Sequence, residues 1–172
     1  ITFRDKIYEE FDNLEILGRG YIAEEGVNAQ ISVPDKNWGL FLKLISSMKL
    51  FNNVDIKTAI NDGISFYKLV VKLIKDIVAY YIPKNKFNMN VVGEHLNTKQ
   101  FNEAMENPNT TVVDMRNIYE SEVGQFLSAE IPQVEKSKDL LPEVRKMLKG
   151  KEHYQVLLYC TGGIRCEKAS SF

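Results

Sequence analysis

The sequence predicts a protein of mixed class, in which an α+β domain in the N-terminal half precedes an α/β domain. The 172 residues and the hydrophobic content of 44% are enough to bury the cores of two small domains. The first half combines helical periodicity with a hairpin pattern, whereas in the second half helices alternate with short apolar strands.

The N-terminal half begins with strand-like Ile1-Thr2-Phe3 and continues as a helix over 4–14 with one apolar face. Two alternating segments around a Glu25-Gly26 turn predict a β-hairpin over 17–33. Pro34-Asp35 then opens a predicted helix. Its apolar stripe, which we expect to pack in the core, consists of Trp38, Phe41, Leu42, Ile45 and Met48. Two further strands are predicted over 53–59 and 65–78. This order of strands and helices describes a ferredoxin-like split βαβ domain over residues 1–82.

A polar, turn-rich segment over 83–90 predicts a linker to a second domain, residues 91–172. That domain is predicted to contain a helix over 98–107 stopped by Asn107-Pro108, and a strand over 110–115 followed by a polar loop. A helix over 139–149 closed by Gly150 and a buried strand over 155–159 complete its α/β pattern.

The net charge of −1 gives no chain-wide attraction to nucleic acid or to an anionic membrane. Lys68, Lys72 and Lys75 are candidate RNA contacts, because Lys68 and Lys72 project from one face of the predicted strand, although a solvated surface is the simpler interpretation. We expect a cytoplasmic protein without a membrane span, since no secretory signal is evident and two cysteines cannot staple a secreted domain. The absence of an initiator Met indicates a fragment.

The most informative stretch lies near the C-terminus, where an apolar strand ends at Cys160 and a Gly-Gly loop turns into a helix. We expect the loop N–H groups and the positive end of the following helix to stabilise a thiolate or a bound anion at Cys160, which makes this cysteine acidic and reactive. Two cysteines six residues apart without a neighbouring histidine do not make a four-ligand zinc site. The predicted cradle consists of Thr161, Gly162, Gly163, Ile164 and Arg165.

Two segments resemble rhodanese-like domains. Asp114-Met115-Arg116-Asn117-Ile118-Tyr119-Glu120, followed by Gly124 and Ala129, is similar to their Asp-x-Arg…Glu…Gly signature, and Cys160 to Arg165 is similar to their active-site loop. In rhodaneses the loop cysteine carries a persulfide cradled by backbone N–H groups. Four residues separate Cys160 from Arg165, whereas related phosphatases have five, so this loop suits a species the size of a sulfur atom.

Longer segments over 21–34, 113–117 and 159–170 resemble the bacterial tRNA wobble-uridine hydroxylases, and the resemblance extends over essentially the whole chain. That family joins a small α+β domain to a rhodanese-like domain. The resemblance implies a cytoplasmic oxidoreductase that uses molecular oxygen to convert the wobble uridine of tRNA to 5-hydroxyuridine and that depends on the loop cysteine. It implies tRNA as the partner, with no cofactor, metal or protein partner evident.

The resemblance assigns catalysis to Cys160, and we hypothesise that its thiolate adds to C6 of a flipped-out uracil so that C5 can react with oxygen. Arg165 and the glycine N–H groups are expected to stabilise the thiolate or the developing enolate. Asp114 and Arg116 are expected to brace the loop as a buried ion pair. Cys166 either packs as a small apolar residue or forms a disulfide with an oxidised Cys160.

Gln125 stands where many relatives have histidine, and the chain stops at Phe172 where relatives continue, which predicts an incomplete rhodanese-like domain. Two other functions use the same residues. The first is a sulfurtransferase that passes persulfide sulfur from Cys160 to an acceptor. The second is a non-catalytic rhodanese-like binding module, which ranks last because such modules commonly lack the loop cysteine.

Overall fold

The computed structural model of the chain describes residues 2–52, 54 and 56–172, which divide into two compact units between Ile77 and Val78. Each unit contains a three-stranded sheet with helices, so the predicted mixed class is confirmed. Tyr80 and the segment 83–90, predicted as the end of the first domain and a linker, lie in the second unit. No helix among the described residues is long and apolar enough to cross a membrane.

The first unit consists of a helix, a hairpin, a second helix and a strand. Thr2 caps the first helix through a capping box with Asp5, so the chain is helical where strand-like Ile1-Thr2-Phe3 was predicted; Ile1 itself lies outside the described residues. The elements are α1 Phe3–Asn13, β1 Leu17–Ala23, β2 Gly26–Ser32, α2 Trp38–Ser47 and β3 Leu69–Leu73.

The first sheet has the order β2-β1-β3, in which β1 is antiparallel to β2 and parallel to β3. One face of this sheet packs against both helices. Its core joins the α1 residues Ile7 and Phe11 to the α2 residues Phe41 and Ile45 through Ile22 and Val71 of the strands. The hairpin was predicted correctly in type and position. Four residues of the predicted core stripe, Trp38, Phe41, Ile45 and Met48, do pack in or against the core, but the prediction was wrong for Leu42. Leu42 is exposed, because it lies about 100° around α2 from the buried Phe41.

Two strand predictions in this unit were wrong in extent. The predicted strand over 65–78 is strand only at Leu69–Leu73, because β1 offers it partners only from Gly18 to Ile22 and the chain bends at Lys75. The predicted strand over 53–59 is irregular at the residues that the structure describes there, while Asn53 and Asp55 lie outside them. β-branched composition does not reveal whether a strand edge is free to pair.

The second unit contains a parallel sheet in the order β5-β4-β6, as its apolar strands predicted. Val112, Val113 and Asp114 are buried in the central strand, and α5 packs Leu140, Leu141 and Val144 into the core. A helix replaces the predicted polar loop after Arg116, because Asn117 and Glu120 form a capping box. The elements are α3 Thr98–Met105, β4 Thr110–Asp114, α4 Ile118–Val123, β5 Ala129–Glu130, α5 Ser137–Met147, β6 Gln155–Tyr159 and α6 Ile164–Ser170.

Candidate functional site

Cys160 lies at the carboxyl end of the parallel sheet of the second unit, directly after β6. Asp114 is paired with Tyr159 in the register of β4 and β6, so β4 ends at the same edge. Gly163 caps α6 with a φ of 84°, a conformation that favours glycine, and its N–H lies 3.1 Å from the Cys160 Sγ. The loop therefore folds a backbone donor back onto the sulfur.

The Cys160 thiol is acidic. A hydrogen bond from the Cys166 thiol, helped by backbone N–H groups of Cys166, Arg165 and Gly163, lowers the pKa of Cys160 to about 5 against the opposing effect of burial. The same contact and burial raise the pKa of Cys166, which therefore keeps its proton and acts as a donor. Both shifts favour the thiolate form at Cys160 and the thiol form at Cys166.

Arg165 is held by Glu120 of α4. The guanidinium donates to both carboxylate oxygens, from Nη1 at 2.7 Å and from Nη2 at 2.9 Å, and the Thr161 hydroxyl donates to the same carboxylate at 3.1 Å. These bonds, those to Arg165 first, lower the pKa of Glu120 to about 2. The Tyr80 hydroxyl donates to the backbone oxygen of Arg165 at 2.8 Å.

Asp114 joins three elements below the loop. Its fully buried carboxylate accepts hydrogen bonds from Arg116, from the Ser121 hydroxyl at 2.8 Å and from the Tyr159 hydroxyl at 2.7 Å. Burial alone raises the pKa of Asp114, but these hydrogen bonds outweigh it and hold the pKa below the ordinary value. Arg116 also donates to the Gly124 oxygen at 2.6 Å, so it fixes the chain that follows α4.

An open depression of about 350 Å³ lies beside Cys160. The rings of Phe126 and Tyr159 meet edge to face in its wall, with centroids 4.8 Å apart, and Arg116 lies 5.3 Å from the Tyr159 ring. The depression is thus a mixed aromatic and cationic surface with a thiolate at its edge. Its lining residues are Arg116, Gly124, Gln125, Phe126, Tyr159, Cys160 and Thr161.

The structure brings together the predicted loop, Cys166, Asp114 and Arg116, and the buried ion pair between Asp114 and Arg116 is present. Lys68, Lys72 and Lys75 belong to the other unit: Lys72 lies on β3, Lys68 just before it and Lys75 in the bend after it. The predicted catalytic and supporting roles of all these residues stay predictions.

Several residues of the site were not predicted from the sequence, among them Ser121 and Phe126 as well as the three whose signals are described next. Glu120 could have been found, because it lies in the Asp-x-Arg…Glu pattern and three residues after Asn117, as a capping box requires. The Tyr159 hydroxyl could have been inferred from a polar aromatic residue ending a buried strand. Nothing in the sequence links Tyr80 to a loop 85 residues away. Among the described residues, no three His, Cys, Asp or Glu side chains cluster so as to hold a metal ion.

The chain is similar to a known domain family over its first unit. A family model described as the UPF0176 acylphosphatase-like domain matches residues 1–77. This match ends where the first compact unit ends, and it agrees with the ferredoxin-like organisation predicted for the N-terminal half.

Curated relatives match nearly the whole chain. The tRNA uridine(34) hydroxylase of Leptospira interrogans serogroup Icterohaemorrhagiae serovar Lai is 45% identical over 170 residues, which are 98% of this chain and 46% of that protein. The proteins of the same name from Photorhabdus laumondii and Enterobacter sp. strain 638 are 42% and 41% identical, over 100% and 98% of this chain and 49% of each relative. The chain thus spans about half the length of the curated relatives it matches.

Proposed function

This chain is a homologue of the tRNA uridine(34) hydroxylases, and from that premise we propose that it carries the nucleophile with which such an enzyme hydroxylates the wobble uridine of tRNA to 5-hydroxyuridine. The rhodanese-like nature of the second unit, a cytoplasmic location and tRNA as the substrate are parts of this proposal. The observation that carries it is a thiolate at the edge of a depression with aromatic walls.

Cys160 is the nucleophile of the proposal. A thiolate can add to C6 of a uracil ring, which makes C5 electron-rich in the resulting enolate, and its pKa of about 5 keeps it in the reactive form at neutral pH. Cys166 serves as a positioning residue, since its thiol donates to the Cys160 sulfur. Addition requires the base to leave its stack and approach the sulfur from the depression.

The depression supplies the groups that such a base needs. Phe126 and Tyr159 offer ring surfaces for stacking, and Gln125 offers an amide that can both donate to and accept from a base edge. Both arginines are paired with a carboxylate, Arg116 with Asp114 and Arg165 with Glu120, but of the two only Arg116 lines the depression. On this position we assign stabilisation of the enolate oxygen to Arg116, and organisation of the loop around Cys160 to Arg165.

Molecular oxygen is the proposed cosubstrate. The enolate carbon C5 attacks oxygen, one oxygen atom stays on C5 as the hydroxyl group, and the other leaves as water after a two-electron donor reduces the peroxide. Loss of the C5 proton and departure of the Cys160 thiolate from C6 restore the aromatic base and the enzyme. The electron donor is a small reductant or a redox protein supplied from solution.

A sulfurtransferase is the second candidate, and the backbone donor on the Cys160 sulfur favours it, because the same cradle suits a persulfide. Mass spectrometry of the protein after thiosulfate treatment separates the two. A stable gain of one sulfur atom on Cys160, together with unchanged tRNA, supports sulfur transfer.

Nucleoside analysis of tRNA tests the proposed function. In a bacterial strain that lacks its own tRNA uridine(34) hydroxylase, expression of the protein containing this chain is expected to restore 5-hydroxyuridine and its derivatives, and a Cys160→Ser variant is expected not to. If the Cys160→Ser variant restored 5-hydroxyuridine, the proposed role of the cysteine would be contradicted. If the unaltered protein did not restore it, the proposed activity itself would be contradicted.

A further inference from the structure

The first unit has a sheet face that its own helices leave open. Side chains alternate along a strand, and cross-strand neighbours share a face. Ile22 of β1 and Val71 of β3 point to the side that packs against α1 and α2. Arg19 and Tyr21, which flank Gly20 on β1, therefore point to the opposite side of the sheet.

The strand register identifies the neighbours of Tyr21 and Arg19 on that opposite side. Tyr21 is aligned with Asn28 of β2 on one flank and with Lys72 of β3 on the other, and Arg19 is aligned with Gln30. Lys68 lies in the bend directly before β3, and its backbone oxygen accepts a hydrogen bond from the Gly18 N–H at 2.9 Å, which continues the pairing of β1 with β3. Because Lys68 is two residues before Val70, the β3 partner of Arg19, we place it on the same side. We call this surface the open sheet face; it consists of Arg19, Tyr21, Asn28, Gln30, Lys68 and Lys72.

The charged side chains of the open sheet face have no acidic partner among the residues that the structure describes. Arg19, Lys68 and Lys72 are exposed, and none of their side chains forms a hydrogen bond or ion pair with any residue that the structure describes. No strand residue on this side of the sheet is acidic. By contrast, exposed Lys36 of the same unit is paired with Glu15 at 2.7 Å. In a chain of net charge −1, this face is a local concentration of positive charge.

The composition of the face matches one class of ligand. Cations attract phosphates, and an aromatic ring within a sheet stacks on unpaired bases, which is how sheet-faced RNA-binding domains hold single strands. The Asn28 and Gln30 amides lie beside the ring and can bond to base edges. A duplex hides its bases inside the helix, so the aromatic ring favours a single-stranded segment over a double helix.

We propose that the open sheet face binds single-stranded RNA, and specifically an unpaired loop of the tRNA substrate. The tRNA identity of the ligand rests on the proposed function, whereas the single-strand preference rests on the face itself. Lys68 and Lys72 thereby gain a role as phosphate contacts. Lys75 lies in the bend after β3, outside the face, and is not part of the site.

Fluorescence anisotropy with an anticodon stem-loop RNA tests this surface. Lys68→Gln/Lys72→Gln is expected to weaken binding about tenfold and to reduce the slope of log affinity against log salt by about 1.4, since each single-strand phosphate contact contributes about 0.7. Tyr21→Leu is expected to weaken binding about tenfold with an unchanged salt slope, and Tyr21→Phe to bind as the unaltered protein does.

The matched control is Lys43→Gln/Lys49→Gln, which removes two exposed lysines of the same unit that lie outside the open sheet face. Its affinity is expected to stay within about twofold, and circular dichroism melting is expected to show that every variant is folded. Three results would each overturn the proposal of a single-strand site. The control variant could lose as much affinity as Lys68→Gln/Lys72→Gln does, or the unaltered protein could bind a fully paired RNA as tightly as the stem-loop. The third is retention of the unaltered protein on heparin that equals its retention on the stem-loop RNA.

The binding assay is independent of catalysis. If the unaltered protein binds the stem-loop through this face but no 5-hydroxyuridine forms in the deletion strain, the proposed function fails and the surface assignment stands. If 5-hydroxyuridine forms while the Lys68→Gln/Lys72→Gln and Tyr21→Leu variants bind as tightly as the control, the surface assignment fails and the proposed function stands.

Discussion

The two cysteines differ because each determines the protonation of the other. Cys166 is the less acidic of the two thiols, since the neighbouring sulfur and burial raise its pKa. Its retained proton stabilises the Cys160 thiolate. Backbone N–H groups contribute further, so the acidity of Cys160 does not depend on a lysine or histidine beside it. A pair of cysteines can thus serve as nucleophile and donor without forming a disulfide.

The pH dependence of Cys160 alkylation tests this arrangement. In the unaltered protein, the rate with iodoacetamide is expected to be level at neutral pH and to fall as the pH drops through about 5, where the thiolate is protonated. Cys166→Ala removes the donor and is expected to move this midpoint upward, whereas Cys166→Ser keeps a donor and is expected to move it less. The same midpoint in all three proteins would contradict the assigned role of Cys166.

Glu120 connects the loop to α4 through Arg165 and Thr161. Glu120→Gln is expected to lower the free energy of unfolding by about 1–3 kcal/mol, because the two carboxylate acceptors of the Arg165 guanidinium are replaced by one uncharged amide oxygen. Urea unfolding followed by circular dichroism measures this loss. Glu122→Gln, an exposed position of the same helix, is the control and is expected to change stability by less than about 0.5 kcal/mol. Equal effects at the two positions would contradict the role of Glu120.

At the scale of elements, one buried carboxylate ties the carboxyl end of the sheet together. Asp114 on β4 accepts from Ser121 on α4 and from Tyr159 on β6, so three elements meet at a single side chain. Because Cys160 follows Tyr159 directly, this network fixes the point from which the loop starts. The loop geometry is therefore a property of the sheet end as well as of the loop residues.

Asp114→Asn is expected to destabilise the protein by about 3–5 kcal/mol, since it leaves the Arg116 charge without its buried partner. The pKa of Asp114 is lowered on folding, so the stability that its charge contributes is present at neutral pH and is lost as the pH falls below the ordinary value of 3.8. The variant is therefore expected to show less loss of stability in acid than the unaltered protein does. Asp139→Asn, at an exposed position, is expected to cost at most about 1 kcal/mol and serves as the control.

The hairpin of the first unit depends on a glycine. Gly18 has a φ of +129°, and an added Cβ would lie 2.3 Å from the Gln30 backbone oxygen and 2.7 Å from the Ile31 Cα. Gly18→Ala is therefore expected to lower the free energy of unfolding by more than about 2 kcal/mol. Gly39→Ala in α2, where an added Cβ meets nothing within 4 Å, is expected to stabilise the protein by up to about 1 kcal/mol. Thermal unfolding of both variants measures the contrast, and equal effects would contradict the hairpin geometry.

For the whole molecule, sequence patterns predicted those elements whose formation depends on residues close together in the chain. The hairpin, the parallel strands and the strand-loop-helix at Cys160 were all predictable, because turn residues, apolar runs and glycines act within a few positions. The extent of β3 and the irregular segment before it depend on which strand edges are free, and α4 depended on a capping box that polar composition concealed. Contacts such as that of Tyr80 with the loop become visible only in the folded chain.

The two units divide the proposed work. The second unit contains Cys160 and the aromatic depression, and the first unit contains the open sheet face with its exposed cations. Variants of the open sheet face are accordingly expected to lose RNA affinity while Cys160 alkylates at an unchanged rate. Variants of the loop are expected to keep their RNA affinity while the rate of Cys160 alkylation changes.

Covalent trapping by a 5-fluorouridine anticodon stem-loop tests the central claim most directly, because fluorine at C5 prevents the loss of a proton that would release the enzyme. Peptide mass spectrometry is expected to find the RNA-derived adduct on Cys160, in amounts that fall when Tyr21→Leu weakens binding. An adduct on Cys166 or on any other residue, or an undiminished adduct in the Cys160→Ser variant, would contradict the assignment of Cys160 as the nucleophile.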